Sequence, residues 1–405
     1  MQTGKQEIGA LILSAAFILG GFLGIGIWLA FIPVCMIILM KFGWNRTLES
    51  KGRGFYPVDY CIVGICVAEI LSCIFSVNIH NSIKASTPII ILSFFWFFFR
   101  VMPGDKKTGH LLITGGSILA LIFSFITIGT FIHFKTEFST YETSITNFKQ
   151  EYTPMGMPVN DWVAFLLSLL PYPLMSAIGT EDRPKRLFHI AVSALLTVSV
   201  ILSLSRGAYV ALVVFYLLSI ICAISNKSGN KCVIIRIIVL SAFIGLTVVT
   251  PASKEVLTTC AMSKTASQKL STQGRMQLVE DCLSIWKDKP VTGVGAGNFN
   301  IVYDSRVVDR KASSTRATNT YALILVEKGI LGLIAYCGLI IVLLVSGLKG
   351  INKGPSQYLF LACFVALCVR GLFFSSLFDR RAVLMMVMLV IYGLAQENQG
   401  DEAVE

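Results

Sequence analysis

The sequence predicts an all-α polytopic membrane protein of about twelve transmembrane helices with one long, partly helical outer loop. Three observations carry that expectation. Of the 405 residues, 55% are apolar and only 14% charged, against roughly 25% charged in a soluble domain. Apolar runs of membrane-spanning length recur along the chain. The polar sequence is gathered in one stretch, 251–317, far longer than a turn between two spans requires.

A span needs about 20 apolar residues. The run 8–40 is too long for one, and Gly20, Gly21, Gly24 and Gly26 suggest a tight hairpin of two. Further spans are expected at 58–77, 88–102, 111–132, 162–178, 187–204, 207–224, 233–249, 330–348, 358–377 and 381–395. The organisation read from this is an N-terminal bundle over 1–250 of about nine helices, a loop domain over 251–317, and C-terminal helices with a tail over 318–405. No internal repeat is seen, and the first apolar stretch lacks a small-residue cleavage pattern.

Basic residues set the orientation. One set of alternate short loops holds Lys41, Arg46, Lys51, Arg53, Arg100, Lys106, Lys107, Arg183, Lys185, Arg186, Lys227, Lys231, Lys349 and Lys353. That set is expected in the cytoplasm with both termini, which places 251–317 outside. The formal charge of +11 fits such loops. Nucleic-acid binding is not expected, because no basic-aromatic module is present.

Eleven Cys are scattered without a CxxC pair, and Cys260 and Cys282 alone fall in the long loop. A disulfide between those two is open. The four His form no cluster of metal-ligand spacing. No metal or cofactor is expected.

Several cations and one acid stand where bilayer or interface makes them costly. Arg206, in LSLSRGAYVAL, sits at the outward junction of two apolar helices. It reads either as a snorkelling Arg or as an anion site, since its planar fork suits phosphate. The loop holds a helical pattern over 275–287 that starts at Arg275. Its apolar positions Met276, Val279, Cys282, Leu283 and Trp286 suggest a helix lying on the membrane surface. Arg275 in the first turn opposes the helix dipole, so beside free backbone N–H groups it reads as an anion pocket or as a solvated side chain. Gly293, Gly295 and Gly297 read as a tight turn rather than a phosphate loop, because no strand precedes them.

Arg306, Arg310, Lys311 and Arg316 make the loop basic, a solvated face or a steering field for an anionic ligand. Glu327 lies among apolar residues and is either functional or paired with Lys328 or Arg316. Arg370, inside LCVRGLFF, requires an acidic partner or a wet cavity.

Three motifs carry a family resemblance: SRGAYVAL (205–212), GRMQLVEDCLSIWKDKPVTGVGAGNF (274–299) and TNTYALILVEKGILG (318–332). They resemble the O-antigen ligase and polymerase superfamily, bacterial membrane enzymes of lipid-linked polysaccharide assembly. The first half of the chain is similar only in hydropathy. The resemblance implies a GT-C-like membrane glycosyltransferase in the inner membrane, with 251–317 in the periplasm. Its donor would be a glycan on undecaprenyl pyrophosphate, and its acceptor a sugar on lipid A–core or on another lipid-linked unit. The chemistry would be metal-independent. Arg206 and Arg275 would contact the pyrophosphate and stabilise the leaving group's charge. Glu327 is taken with them as catalytic. Arg306, Arg310, Thr318, Asn319, Tyr321 and Arg370 are taken as substrate-binding.

One position departs from the family pattern. Ligases carry His, Asn, nine residues and GxxG; here Asn319, Gly329 and Gly332 are kept, but Thr318 stands at the His position. A Thr cannot act as base at neutral pH, so Glu327, Asp304 or Asp309 would serve, or leaving-group stabilisation would dominate. The change makes lipid A–core ligation less secure as a reading and a polymerase-like role more plausible, and the two stand nearly even. Two other classes compete with this reading. A polysaccharide flippase or transporter would show internal repeats or broken midplane helices, and a scaffold has no use for paired outward arginines.

Overall fold

In the computed structural model, residues 56–101, 106–138, 153–203, 205–226, 234–243, 266–306, 319–352, 354–375 and 377 are described. Twelve helices are described: α1 Pro57–Ile74, α2 Ile79–Val101, α3 Lys106–Phe138, α4 Val159–Leu169, α5 Pro171–Gly179, α6 Arg183–Leu202, α7 Arg206–Ser225, α8 Ile234–Phe243, α9 Ala266–Trp286, α10 Phe299–Arg306, α11 Thr320–Lys349 and α12 Pro355–Gly371. Among the described residues there is no strand. Among the described residues, six segments are long and apolar enough to cross a membrane: α1, Ile113–His133 of α3, α4 with α5, α6, α7 and α11. The chain is therefore a multi-pass membrane protein. The expected spans at 8–40 and 381–395 lie outside the described residues.

Prolines set several helix starts. Pro57, Pro171 and Pro355 each occupy a first turn, where a missing N–H costs nothing and the fixed φ already suits a helix. In α1 the Asp59 carboxylate accepts the Tyr56 N–H at 2.6 Å, and its other oxygen accepts from Trp96 Nε1 at 2.8 Å. One acid thus caps α1 and ties it to α2.

Three expected boundaries are corrected. The span expected at 88–102 is the second part of α2, which starts at Ile79 and carries Pro88 inside it. The polar run 79–87 hid its first turns. The span expected at 162–178 is two helices, because Pro171 interrupts the backbone ladder after Leu170. The span expected at 330–348 starts ten residues earlier and is kinked at Gly329 (φ 64°, ψ −166°).

The centre of the bundle is α4 with α5, buried on nearly every side. Such an all-round apolar helix belongs in an interior. Trp162 and Phe165 meet Phe123 of α3 edge-on at 5.5 and 5.0 Å, and Trp162 Nε1 donates to Thr127 Oγ1 at 2.9 Å. α3, α6, α7 and α12 pack around this pair. Lipid is as apolar as leucine, so close packing and buried polar contacts hold such helices together. Ser124, Thr127, Ser193, Thr197 and Ser199 are all fully buried, and Thr197 shares a 2.6 Å hydrogen bond with Tyr216 of α7.

A second cluster joins α9, α10 and the first turns of α11 through Leu278, Cys282, Ile285, Phe299, Tyr303 and Val326. The expected apolar face of the loop helix is corrected accordingly. Leu278, Cys282 and Ile285 face inward, while Met276 and Leu283 are exposed. Cys282 is a free, buried thiol, and Cys260 lies outside the described residues. A third cluster sets α1 on α11 through Ile65, Ile324 and Tyr336.

Candidate functional site

Five chain segments meet at one end of the bundle. The N-terminus of α7 presents Arg206 beside Asn160, the second residue of α4, and Ser205 Oγ donates to Asn160 Oδ1 at 3.2 Å. The end of α12 brings Arg370, whose guanidinium donates to the Asn160 backbone carbonyl. Beyond α12 the chain turns through Leu372–Phe374 and is tied to the start of α11. Asn319 Nδ2 donates to the Leu372 carbonyl at 3.2 Å and Thr320 Oγ1 to the Phe374 carbonyl at 2.8 Å. α9 contributes Arg275, with its guanidinium carbon 5.0 Å from the centre of the Phe374 ring. The Arg370 guanidinium carbon lies 5.2 Å from the same centre.

Arg206 reaches this group from α7. Gly207, its neighbour, faces the edge of the Phe374 ring. Burial first, and then the nearby charge of Arg206, hold the Arg275 guanidinium below the usual arginine range, though an Arg stays protonated at any physiological pH. Arg370 is almost wholly buried, Arg275 is half-buried and Arg206 is exposed. Among the described residues neither Arg206 nor Arg275 makes a salt bridge. Like charges gathered without a carboxylate create a strong positive potential. Two guanidinium forks beside the free N–H groups of the α7 first turn suit a phosphate or diphosphate.

One feature of Arg275 is corrected. The helix that carries it begins at Ala266, so Arg275 lies in mid-helix and not in the first turn. Free backbone N–H groups therefore do not flank it; its setting comes from Phe374 and Arg206. The stretch ASQKLSTQG before Arg275 lacks apolar periodicity, which is why the sequence hides those turns. Arg370 donates to a backbone carbonyl and lies against an aromatic ring.

The remaining candidates are placed elsewhere or are engaged in the fold. Arg306 pairs with Asp288 just past α9, and the Trp286 end of α9 is about 16 Å along the helix from Arg275 at 1.5 Å per residue. Asn319 caps α11, its Oδ1 accepting from the N–H groups of Tyr321 and Ala322 at 2.9 and 3.1 Å. Tyr321 donates its hydroxyl to the Cys368 carbonyl at 3.0 Å. Arg310, Thr318, Lys311, Arg316 and Asp309 lie outside the described residues.

Glu327 is buried and faces the glycine turn, about 10 Å along α11 from Thr320. Its Oε1 accepts from the Phe299 N–H at 3.4 Å, where α10 begins. Of its two alternative partners, Lys328 reaches across to Glu69 of α1, and Arg316 lies outside the described residues. The Tyr336 hydroxyl and Ser86 Oγ also donate to Glu69, which makes a buried network between α1, α2 and α11. Glu69 was missed in the sequence because a single acid hardly alters an apolar run.

The glycine turn is a structural joint. Gly293, Gly295 and Gly297 have φ of 70°, 103° and 72°. Its N–H groups are used within the fold: Val294 donates to the Val326 carbonyl and Gly295 to the Glu327 carbonyl, both at 2.9 Å. Ala296 donates to Ser72 Oγ at 2.9 Å. The turn supports the broken α11 in exchange, since Ile330 N–H donates to the Pro290 carbonyl at 2.9 Å.

Among the described residues, no group of three or more His, Cys, Asp or Glu is placed to hold a metal ion. No curated protein matches the chain. Residues 191–337 match the family model described as O-antigen ligase. That stretch contains Arg206, Arg275, Asn319, Tyr321 and Glu327, whereas Arg370 and Phe374 lie beyond it. Residues 191–337, less than half of the chain, are thus similar to an O-antigen ligase domain, which supports a relation to the O-antigen ligase and polymerase superfamily.

Proposed function

We propose that the protein moves a glycan from undecaprenyl pyrophosphate to an acceptor sugar at the periplasmic face of the inner membrane. The acceptor is a sugar on lipid A–core or on a second lipid-linked unit, and Thr318 at the ligase His position favours the second. Both termini lie in the cytoplasm, and 251–317 forms the periplasmic loop domain. The observation that carries the reading is that Arg275, set over the Phe374 ring, lies within range of the charge of Arg206, whose neighbour Gly207 faces the edge of the same ring.

In this reading the two guanidinium groups hold the diphosphate. As the bond from the anomeric carbon to the phosphate oxygen breaks, negative charge grows on the leaving diphosphate. Donors already fixed in place stabilise that charge without reorganising. The acceptor hydroxyl forms the new glycosidic bond and its proton leaves to a base or to solvent. Because the described contacts of Glu327 go to the glycine turn, the reading puts most of the acceleration on the arginine pair. Arg306 and Arg310 steer the anionic donor, and Asn319, Tyr321 and Arg370 shape the wall of the site. The chemistry is metal-independent in this reading.

The test uses a deletion strain complemented with variants, read by the ladder of its lipopolysaccharide or lipid-linked polysaccharide. Arg206→Ala and Arg275→Ala abolish glycan transfer while the protein still inserts. Lys at either position restores little, because an ammonium lacks the bidentate fork. Single-repeat bands in the deletion strain identify a polymerase, and bare core a ligase. Full-length ladders from both Ala variants would overturn the mechanism.

A further inference from the structure

Arg206 and Arg275 repel one another, and neither has a carboxylate to hold it among the described residues. Something must fix the direction of Arg275, since a long flexible side chain in a repulsive field otherwise turns toward water. Among the described residues, the structure offers one group for that task. The Phe374 ring lies 5.0 Å from the Arg275 guanidinium carbon, inside the range at which a ring's quadrupole attracts a cation.

Phe374 is itself held from three sides. Its N–H donates to the Arg370 carbonyl at 3.1 Å, and its carbonyl accepts from Thr320 Oγ1 at 2.8 Å. Its ring edge lies where a side chain on Gly207 would stand: a Cβ there would come within 2.8 Å of the ring. The missing side chain at Gly207 lets the ring lie against the first turn of α7, next to Arg206. On the other side the Arg370 guanidinium carbon, anchored to the Asn160 carbonyl, is 5.2 Å from the ring centre.

We propose that Phe374 is a positioning residue for the anion site: its ring holds the Arg275 guanidinium beside Arg206, in the orientation that grips a diphosphate. The inference rests on the reading of Arg206 and Arg275 as a diphosphate site. It extends that reading to a residue outside the matched O-antigen ligase segment. Phe374 touches no reacting atom; it acts through Arg275.

The experiment measures the binding of inorganic pyrophosphate to the purified full chain in nanodiscs, by titration calorimetry. Phe374→Leu keeps apolar volume and removes the π-face, and it weakens pyrophosphate about tenfold. Phe374→Met, more flexible, does the same and stands in if the Leu variant fails to fold. Phe374→Tyr retains the face and binds within about threefold of the wild type. Arg275→Ala sets the reference for a lost contact. Wild-type affinity in the Leu and Met variants, with binding lost in Arg275→Ala, overturns the role of Phe374 and leaves the diphosphate site standing. A Tyr variant as weak as Leu overturns it as well, because ring shape and not the π-face would then matter. Equal binding by wild type, Arg206→Ala and Arg275→Ala, or none by any of them, removes the underlying reading and the inference with it.

Discussion

The kink in α11 offers the sharpest test of how the glycine turn supports the site. Gly329 sits at φ 64° and ψ −166°, a region that only glycine populates freely, and a side chain there costs about 1–3 kcal/mol. The Cβ of an alanine would also lie 2.1 Å from the Val291 carbonyl oxygen and 2.3 Å from its carbon. Backbone would have to give way. Moving that segment breaks the donation from Ile330 N–H to the Pro290 carbonyl, and a lost hydrogen bond costs about 0.5–1.5 kcal/mol more. Together Gly329→Ala should cost about 1.5–4.5 kcal/mol. The assay is thermal unfolding of the purified full chain by tryptophan fluorescence, paired with glycan transfer. The control is Gly129→Ala on α3, where a Cβ meets nothing within 4 Å and the change should stay within about 1 kcal/mol. Equal midpoints for the two variants would refute the account of the kink.

Three further outcomes follow from the same wiring. Lys328→Met leaves the fully buried Glu69 carboxylate without its cation and should cost about 3–5 kcal/mol, whereas Glu69→Leu with Lys328→Met should recover most of it; a double variant no more stable than the single would contradict the pairing. Asn319→Ala removes both the α11 cap and the Leu372 tether and should cost about 1–2 kcal/mol. Asn319→Asp keeps the acceptor oxygen and loses only the tether, so a chemical-denaturation series should place it between Ala and wild type. Burial, then the charges of Asp281 and Glu327, push the Cys282 thiol up to about 12. At pH 8 the native protein should leave Cys282 unalkylated by iodoacetamide while the unfolded chain is labelled, as peptide mass spectrometry reads; equal labelling in both states would refute its burial.

The bundle was largely legible because the span signal is long and strongly apolar. Breaks and starts were less so. Pro171 and Pro173 were visible interruptions in the run read as 162–178, but hydropathy passes over a proline that still packs in an interior. The first turns of α2 and α9 are polar and lack a repeating apolar stripe, and those of α2 are tied to the glycine turn, as by Ser82 Oγ donating to the Ala296 carbonyl. Arg206 and Arg275 stand out in the sequence because charge near a bilayer is costly. Phe374 does not stand out, since an aromatic in an apolar run reads as packing. Its role comes from what surrounds it, namely an arginine contributed from about a hundred residues away. The same holds for Glu69 and Lys328, whose pairing spans 259 residues.

The contrast between these two charged groups bears on mechanism. Glu69 and Lys328 neutralise each other, and Tyr336 and Ser86 fill their remaining hydrogen bonds. Such a closed network has nothing to offer a ligand and fixes how α1, α2 and α11 sit together. The arginine end is the reverse: cations held by a carbonyl, a ring and a helix start, with no counter-ion on Arg206 or Arg275 among the described residues. Gathering them raises the free energy of the empty protein, and an anion that enters relieves it. Binding of pyrophosphate should therefore raise the unfolding midpoint in proportion to RT ln(1 + [L]/Kd), and that gain should vanish in Arg275→Ala. A variant lacking Glu69 and Lys328 should still show the gain, because the network shapes the frame while the arginines supply the charge.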